Sequence, residues 1–258
     1  MTVSRDALIG HTGFVGGTLH RQRPFAATFN SRNIEEIRGR SFARLVCAGV
    51  SAAKWIANKE PEQDWQAIRR LIDCLNGVEA ERFILISTID VYAQPIGQTE
   101  LDIPPAAGLH PYGLHRLRLE EFVASRFPAH TIVRLPALFG AGLKKNALFD
   151  LIHLNQTEKI IPNAAFQWYP TRRLSDDLDR ITGAGLELIN ITSKSIEMAA
   201  IRARFFPQVP IGAPVDHPAL YDNRSIHDRL LGGVNGYHLS AAQILDDMHS
   251  YISDAAGH

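Results

Sequence analysis

Short apolar stretches alternate with segments of helical periodicity along the first 135 residues. The predicted strands are Arg5–Ile9, Phe25–Phe29, Ser41–Ala48, Arg82–Ser87 and Thr131–Leu135, and the predicted helices between them are Gly13–Arg21, Glu60–Leu75 and Leu114–Ala124. The run Phe-Ile-Leu-Ile in Arg82–Ser87 is typical of a parallel strand that is covered on both faces. Strands that alternate with helices in this way predict an α/β fold, a doubly wound parallel sheet of Rossmann-like type.

The pattern changes after Gly140, where the apolar segments become shorter. We predict helices at Ala147–Leu154, Asp176–Ile181, Ile196–Phe206 and Leu239–Ile252, and strands at Glu158–Ile161 and Leu186–Ile191. Ser240 is the expected cap of the last helix. Four prolines between Pro207 and Pro218 predict a loop. We therefore expect a dinucleotide-binding domain over residues 1–140 and a small C-terminal substrate lobe over residues 141–258, of which roughly 166–192 returns to the sheet.

A glycine-rich turn follows the first predicted strand. Gly10 lets the chain turn off the strand, Gly13 leaves room for a pyrophosphate, and Gly16 lets the helix pack closely. The N–H groups of the first helical turn would then bind the phosphates, with contacts from Thr12, Phe14 and Val15. The alternative interpretation is that three glycines form a turn and nothing more.

The end of the second strand bears on the choice of cofactor. It carries Ser31 and Arg32 and has no carboxylate before Glu35. An acidic residue here binds the ribose of NAD, whereas an Arg accommodates the 2′-phosphate of NADP, so the sequence favours NADP over NAD. Asn30-Ser31 could also cap a helix that begins near Ile34, and the two interpretations are compatible. After the third strand, Ala48 and Gly49 form a small-residue loop that a cofactor can approach.

Composition and charge argue against several classes of protein. Lys and Arg together number 27, as do Asp and Glu, so a general nucleic-acid-binding surface is not expected. Two cysteines and no clustered His-Cys motif argue against a metal site. No apolar run reaches the length of a membrane span and the N-terminus lacks a secretory pattern, so we expect a cytoplasmic protein.

Three further stretches carry polar groups at the carboxyl ends of strands or at the start of a helix. They are Ile84–Tyr92 with Ser87, Thr88 and Asp90; His110–Arg116 with Tyr112; and Val133–Gly140 with Pro136. In an open α/β sheet, ligands bind at the carboxyl edge. Together with Gly10, Gly13 and Gly16, these stretches resemble the extended short-chain dehydrogenase/reductases, the group of nucleotide-sugar epimerases and dehydratases, over residues 5–205.

The resemblance implies a catalytic set. Tyr112 matches the acid/base Tyr, Thr88 matches the hydroxyl residue that orients the substrate, and Arg116 stands where the family has Lys. Arg supplies a positive charge that is expected to lower the pKa of Tyr112, but it cannot give up a proton. The family also carries an Asn in the helix after the third strand, and Glu60–Asp73 contains none. Tyr92 is expected to support the loop.

The resemblance also implies a ligand and an assembly. Ser87 and Pro136 would contact the cofactor, while Asp90 and Asn146 would contact the substrate, a nucleotide-linked sugar or a similar small hydroxy or keto compound. Arg172 could bind a diphosphate of that substrate, and the alternative is that it belongs to a solvated basic surface. Family members often dimerise through a helix pair that corresponds to Glu60–Leu75 and Leu114–Ala124, so we expect a homodimer. The alternative is a non-catalytic NADP-binding sensor or interaction protein that kept the fold.

Overall fold

A computed structural model describes residues 5–256. Its strands are β1 Asp6–Ile9, β2 Ala27–Phe29, β3 Ser41–Cys47, β4 Glu79–Thr88, β5 His130–Leu135, β6 Ala137–Phe139, β7 Ala165–Phe166, β8 Trp168–Pro170, β9 Leu188–Asn190 and β10 Ile196–Glu197. Its helices are α1 Phe14–Gln22, α2 Lys54–Lys59, α3 Pro61–Leu75, α4 Pro111–Arg126, α5 Ala147–His153, α6 Leu174–Gly183, α7 Met198–Phe205 and α8 Ala241–Ala256.

The chain forms two compact units that are interleaved along the sequence. The first unit contains the residues up to Gln94, Asp102–Arg134 and Ser175–Ile189. The second contains Pro95–Leu101, Leu135–Leu174 and the residues from Asn190 onward. The predicted domain boundary near residue 140 stays a prediction, because compactness does not show which parts fold independently.

A six-stranded sheet in the order β2-β1-β3-β4-β5-β9 forms the centre of the first unit. β1 pairs in parallel with β2 and with β3, and β3 pairs in parallel with β4. Leu45 and Phe83 are fully buried in the middle of the sheet, and the Phe83 ring stacks on Phe127 at 4.2 Å between centroids. The continuous apolar run in β4 is thus covered by packing, and the predicted α/β fold with a doubly wound, Rossmann-like sheet is confirmed.

The second unit contains two small sheets together with α5, α7 and α8. β6 pairs in parallel with β8, and β7 pairs antiparallel with β10. Trp168 and Tyr169 are almost fully buried there. The predicted cap of α8 is confirmed: the Gln243 N–H donates to Ser240 Oγ, and the Ser240 N–H donates to Gln243 Oε1.

Two local expectations need correction, and one helix was missed. Glu158–Ile161 is not a strand, since Gln156 adopts a left-handed conformation and starts a 3-10 turn over Thr157–Lys159. Helix α7 begins only at Met198, because Ile196 and Glu197 pair with β7. Helix α2 was not predicted, since its six residues are too few to show a period. No helix within residues 5–256 combines the length and the apolar character that a membrane span needs.

Candidate functional site

The glycine-rich turn fits tightly between β1, the end of β3 and α1. Gly10 has φ +90°, and a Cβ there would lie 2.3 Å from the Ala48 carbonyl oxygen. A Cβ on Gly16 would lie 2.1 Å from the Gly10 carbonyl oxygen. Only glycine fits at either position, because both approaches are to backbone atoms. Gly16 therefore brings α1 close to the turn itself, at the end of β1.

Gly13 has different surroundings from the other two glycines. It precedes α1 in an extended conformation, and the nearest atom to a Cβ built there is the Gly10 carbonyl oxygen at 3.4 Å. Gly13 and Thr12 are exposed, no side chain caps α1, and its first turn carries no acidic residue. The N–H groups at this end of α1 and the helix dipole suit an anion such as a pyrophosphate.

The end of β2 forms a compact polar turn beside the glycine-rich turn. The Asn30 N–H donates to Asn33 Oδ1 at 2.7 Å, and the Arg32 N–H donates to Asn30 Oδ1 at 2.8 Å. The helix that follows is a 3-10 turn over Ile34–Ile37 with no side-chain cap. Asn30-Ser31 therefore does not cap it, and that alternative is wrong. The side chains of Ser31 and Arg32 are exposed.

The first acidic residue after β2 is already paired. Glu35 accepts hydrogen bonds from Arg38 at 2.8 Å and from Arg70 at 3.0 Å. These two guanidinium groups lower the pKa of Glu35 to about 2. Arg70 also donates to the Ser31 carbonyl oxygen at 3.3 Å, so a second cation lies at the turn that carries Arg32. Arg70 was not predicted for the site, because it lies far along the chain in α3.

The loop after β3 approaches the glycine-rich turn. The Ala48 N–H donates to the Ile9 carbonyl oxygen at 2.9 Å. A Cβ on Gly49 would lie 2.7 Å from Ile9 Cγ2, so a larger residue there would displace the end of β1. Ala48 and Gly49 thus stand at the same carboxyl edge as Gly10.

Tyr112 lies in the first turn of α4, which is held by two side chains. His110 Nδ1 accepts a hydrogen bond from the Gly113 N–H at 3.1 Å, and Asn58 Oδ1 accepts one from the Tyr112 N–H at 3.0 Å. Pro111 has no N–H to satisfy. Asn58 lies in α2, just before the segment Glu60–Asp73 in which the resemblance led us to look for an Asn.

Thr88 and Tyr112 are brought together at the end of β4. The Thr88 hydroxyl accepts the Asp90 N–H at 3.1 Å and is hydrogen-bonded to the Tyr112 side chain. Burial raises the pKa of Tyr112 and outweighs the lowering by Arg116 and by the hydrogen bond with Thr88. The expected net lowering of the Tyr112 pKa is therefore wrong, since Tyr112 is only 8% exposed.

Arg116 is buried and fully engaged by the protein. Its guanidinium forms a bidentate pair with Asp64, at 2.5 and 2.9 Å, and donates to the Ser51 carbonyl oxygen at 2.6 Å. It also lies over the Tyr112 ring, 3.9 Å from the centroid. Although burial raises the pKa of Asp64, hydrogen bonds from Arg116 and His115 hold it below its ordinary value. No local sequence pattern indicates Asp64, which is 52 positions from its partner.

A second buried ion pair supports the end of β4 and its loop. Arg134 forms a bidentate pair with Glu120, at 2.6 and 3.1 Å, and donates to the Tyr92 hydroxyl at 2.7 Å. The Ser87 hydroxyl donates to Glu120 at 2.5 Å. Tyr92 is expected to support the loop after β4, and its hydrogen bond with Arg134 shows how it is held there. The Ser87 hydroxyl hydrogen is committed to this network, and the predicted cofactor contact of Ser87 stays a prediction.

Asp90 is paired with a lysine from α2. Lys54 Nζ lies 2.8 Å from Asp90 Oδ1, and both side chains are partly exposed. The predicted contact of Asp90 with a substrate stays a prediction. Among residues 5–256, no group of three or more His, Cys, Asp or Glu side chains is arranged to hold a metal ion.

The remaining predicted ligand contacts lie in the second unit. Asn146 caps α5, since its Oδ1 accepts the Phe149 N–H at 3.0 Å and its Nδ2 donates to the Leu138 carbonyl oxygen at 2.8 Å. Arg172 pairs with Asp247. Pro136 is buried between β5 and β6. The roles of these three residues toward a ligand stay predictions.

Comparisons with known proteins identify the fold. No protein-family model and no curated protein matches the sequence. Among solved structures, dTDP-4-dehydrorhamnose reductase from Bacillus anthracis, determined in complex with NADP, is 15% identical with a TM-score of 0.77, covering 98% of this chain and 99% of that one. The reductase from Clostridium acetobutylicum is 16% identical, with a TM-score of 0.75 and coverage of 97% and 99%.

A UDP-glucose 4-epimerase from Thermotoga maritima is also similar, at 14% identity, a TM-score of 0.69 and coverage of 97% and 99%. Near-complete coverage at such low identity is a likeness of fold and not of individual residues. The chain therefore has the fold of these nucleotide-sugar reductases and epimerases over nearly its whole length.

Proposed function

We propose that the protein is an NAD(P)-dependent oxidoreductase or epimerase that acts on a nucleotide-linked sugar or a similar small hydroxy or keto compound. The observation that carries the proposal is the uncapped N-terminus of α1 beside the glycine-rich turn, in the same compact unit as the hydrogen-bonded pair of Thr88 and Tyr112. A phosphate-binding turn and an acid/base hydroxyl at the carboxyl edge of one sheet suit hydride transfer with proton transfer. The similar solved structures include enzymes of this chemistry.

We propose NADP as the cofactor, with NAD as the weaker ligand. The backbone N–H groups at the N-terminus of α1, which begins after Gly13, would bind the pyrophosphate. Arg32 and Ser31 would contact the 2′-phosphate. The paired state of Glu35 supports this choice, because its carboxylate is bound by Arg38 and Arg70 instead of being offered to a ribose hydroxyl. When bound, the nicotinamide would supply or accept the hydride.

Within the site, Tyr112 would hold the proton that is exchanged with the substrate oxygen. Thr88 would orient that oxygen, since its hydroxyl already contacts the Tyr112 side chain. Arg116 would keep the Tyr112 ring in place from its face. The high pKa of Tyr112 means that the protonated form dominates at neutral pH, so Tyr112 is suited to act as the acid.

The second unit contains a cavity of its own. It has a volume of about 300 Å³, and its lining includes Phe166, Met198 and Val215 together with Lys159 and His217. Apolar walls with a few polar groups are typical of ligand sites. We propose separately that the predicted homodimer forms through α3 and α4.

A non-catalytic NADP-binding protein is the second candidate, and one observation favours it. Arg116, which stands at the position of the family's Lys, is neutralised by Asp64 and bonded to two backbone carbonyl groups. Its guanidinium is therefore committed to the protein itself.

A measurement of turnover distinguishes the enzyme from the non-catalytic NADP-binding protein. We expect wild-type protein to oxidise NADPH with at least one member of a panel of nucleotide-linked keto sugars and small keto compounds. Tyr112→Phe should reduce turnover by about 100-fold or more while leaving NADP affinity within about twofold, because it removes only the transferable proton. The measurement is NADPH absorbance with a parallel binding titration. Undiminished turnover in Tyr112→Phe would refute the catalytic role, and a silent wild type that binds NADP would favour the second candidate.

A further inference from the structure

Arg70 of α3 contacts the polar turn at the end of β2, although the two segments are far apart in the chain. Arg70 lies 39 positions after Ser31, and its Nη1 donates to the Ser31 carbonyl oxygen at 3.3 Å. Both residues belong to the first compact unit. The contact therefore brings a guanidinium group to the backbone of the turn whose next residue is Arg32.

Glu35 holds the Arg70 guanidinium in this position. Arg70 Nε donates to Glu35 Oε1 at 3.0 Å and Nη1 donates to Ser31, while Nη2 makes no hydrogen bond within residues 5–256. The Arg70 side chain is 51% exposed, so solvent and ligands can approach it. A guanidinium that is fixed at one edge and keeps free N–H groups is suited to bind a phosphate, whose oxygens match the planar fork of Arg.

Arg38 shares the Glu35 carboxylate with Arg70 but is directed to a different place. Arg38 Nε donates to Glu35 Oε2 at 2.8 Å, and its Nη1 donates to the Asp73 carbonyl oxygen at 2.6 Å, near the end of α3. One carboxylate thus faces two guanidinium groups, and the cluster keeps an excess positive charge. Of the two arginines, Arg70 is the one with a hydrogen bond to the turn in the described part of the chain.

The same arrangement removes the group that would favour NAD. An acidic residue after the second strand ordinarily binds the ribose 2′-hydroxyl of NAD. Glu35 is the first acidic residue after β2, and both of its carboxylate oxygens accept hydrogen bonds from guanidinium groups. Its carboxylate therefore orients a cation instead of facing a hydroxyl.

We propose that Arg70 is a second phosphate-binding residue for NADP and that, together with Arg32, it sets the preference for NADP over NAD. The inference rests on the proposed function, from which it takes the position of the 2′-phosphate. Glu35 is a positioning residue, because it acts on the cofactor only through the guanidinium that it holds.

The test compares the affinities of NADP and NAD for the full-length protein by isothermal titration calorimetry. Arg70→Gln removes the charge and keeps a polar side chain, and it is studied alone and together with Arg32→Ala. Arg69→Gln is the matched control, since Arg69 is the preceding residue of α3 and is also exposed. Arg38→Gln removes an equal charge from the Glu35 cluster and leaves the contact with the turn in place. The NAD affinity of each variant checks that its site is folded.

We expect Arg70→Gln to weaken NADP binding by about fivefold or more and to leave NAD binding within about twofold, because it removes a charge-assisted contact to a group that NAD lacks. Arg69→Gln and Arg38→Gln should keep the NADP preference within about twofold, since salt screens exposed charges that make no contact. The double variant of Arg32 and Arg70 should bind both cofactors about equally well. In phosphorus NMR of bound NADP, Arg70→Gln should raise the pKa of the 2′-phosphate, because a neighbouring positive charge is lost.

An unchanged ratio of NADP to NAD affinity in Arg70→Gln would overturn the proposal. An equal loss of affinity for both nucleotides would also overturn it, since that result indicates a structural role. If wild type bound neither nucleotide, the proposed function would fail as well. Turnover enters none of these measurements, so a protein that selects NADP through Arg70 but has no activity would support this inference and refute the oxidoreductase.

Discussion

At the scale of single residues, the site contains groups that a motif can identify and groups that it cannot. Thr88 and Tyr112 follow from the resemblance to the family motif, and the structure joins them by a hydrogen bond. Asn58 and Asp64 act on residues 54 and 52 positions away, so no local pattern could point to them. The role of Arg116 also depends on Asp64, because the buried carboxylate of Asp64 pairs with the guanidinium and holds it in place.

A buried histidine gives a prediction on acid stability. His238 is 2% exposed, its Nδ1 accepts the Thr192 N–H at 3.1 Å, and burial lowers its pKa from 6.5 to about 4. The unfolded chain therefore binds a proton that the folded chain does not accept between these two values. This contribution to stability is complete above pH 6.5 and is lost as the pH falls toward 4, by about 3 kcal/mol in total.

The measurement is the free energy of unfolding in urea at pH 7.5 and at pH 5, for wild type and His238→Asn. The Asn side chain keeps an acceptor for Thr192 but does not titrate. We expect the loss of stability at low pH to be smaller in the variant by about 1–2 kcal/mol. An identical loss in both proteins would show that His238 is not the responsible group.

At the scale of elements, the turn from β1 into α1 shows how three glycines differ. The sequence predicts a separate role for each, and the packing shows how much room each one has. A Cβ on Gly10 or Gly16 would lie 2.3 or 2.1 Å from a backbone oxygen, whereas a Cβ on Gly13 meets nothing closer than 3.4 Å. Gly10 and Gly16 therefore serve the fold, and Gly13 is open for a ligand.

This distinction predicts different stabilities for neighbouring substitutions. Gly16→Ala should destabilise the protein by about 1–3 kcal/mol, since the turn has to shift to admit a methyl group. Gly17→Ala, one position later in α1, meets its nearest backbone atom at 3.3 Å and gains helix propensity, so it should stay within about 1 kcal/mol of wild type. The measurement is urea denaturation of Gly16→Ala and Gly17→Ala. Equal stability of the two variants would contradict the packing argument.

Longer elements were predictable and short ones were not. Helix α3 extends over 15 residues and the buried strand β4 over 10, enough for a period or a continuous apolar run to appear in the sequence. Helix α2 has 6 residues and β10 has 2, so tertiary contacts decide their conformation. The missed helix α2 carries both Lys54 and Asn58, which is why these two residues were not predicted for the site.

At the scale of the whole molecule, the chain shares a fold with reductases and epimerases at 14–16% identity. A fold of this kind supports many activities, so the activity has to be argued from the site. The enzyme and the non-catalytic binder share one requirement, a dinucleotide at the glycine-rich turn. Both candidate functions therefore require dinucleotide binding, whatever the substrate is.

The most direct test is calorimetric titration of NADP and NAD into wild type, Gly13→Val and Gly183→Ala. Gly13 has an ordinary extended conformation and free space, so Val should fold there but block the phosphate. Gly183, at the end of α6, is an equally open control.

We expect wild type and Gly183→Ala to bind NADP about 10-fold or more tightly than NAD, since a charge-assisted contact to the 2′-phosphate contributes about 1.5–3 kcal/mol. Gly13→Val should show no binding of either nucleotide at concentrations that saturate wild type. If folded Gly13→Val bound NADP with wild-type affinity, the glycine-rich turn would not be the phosphate site and the account would be contradicted.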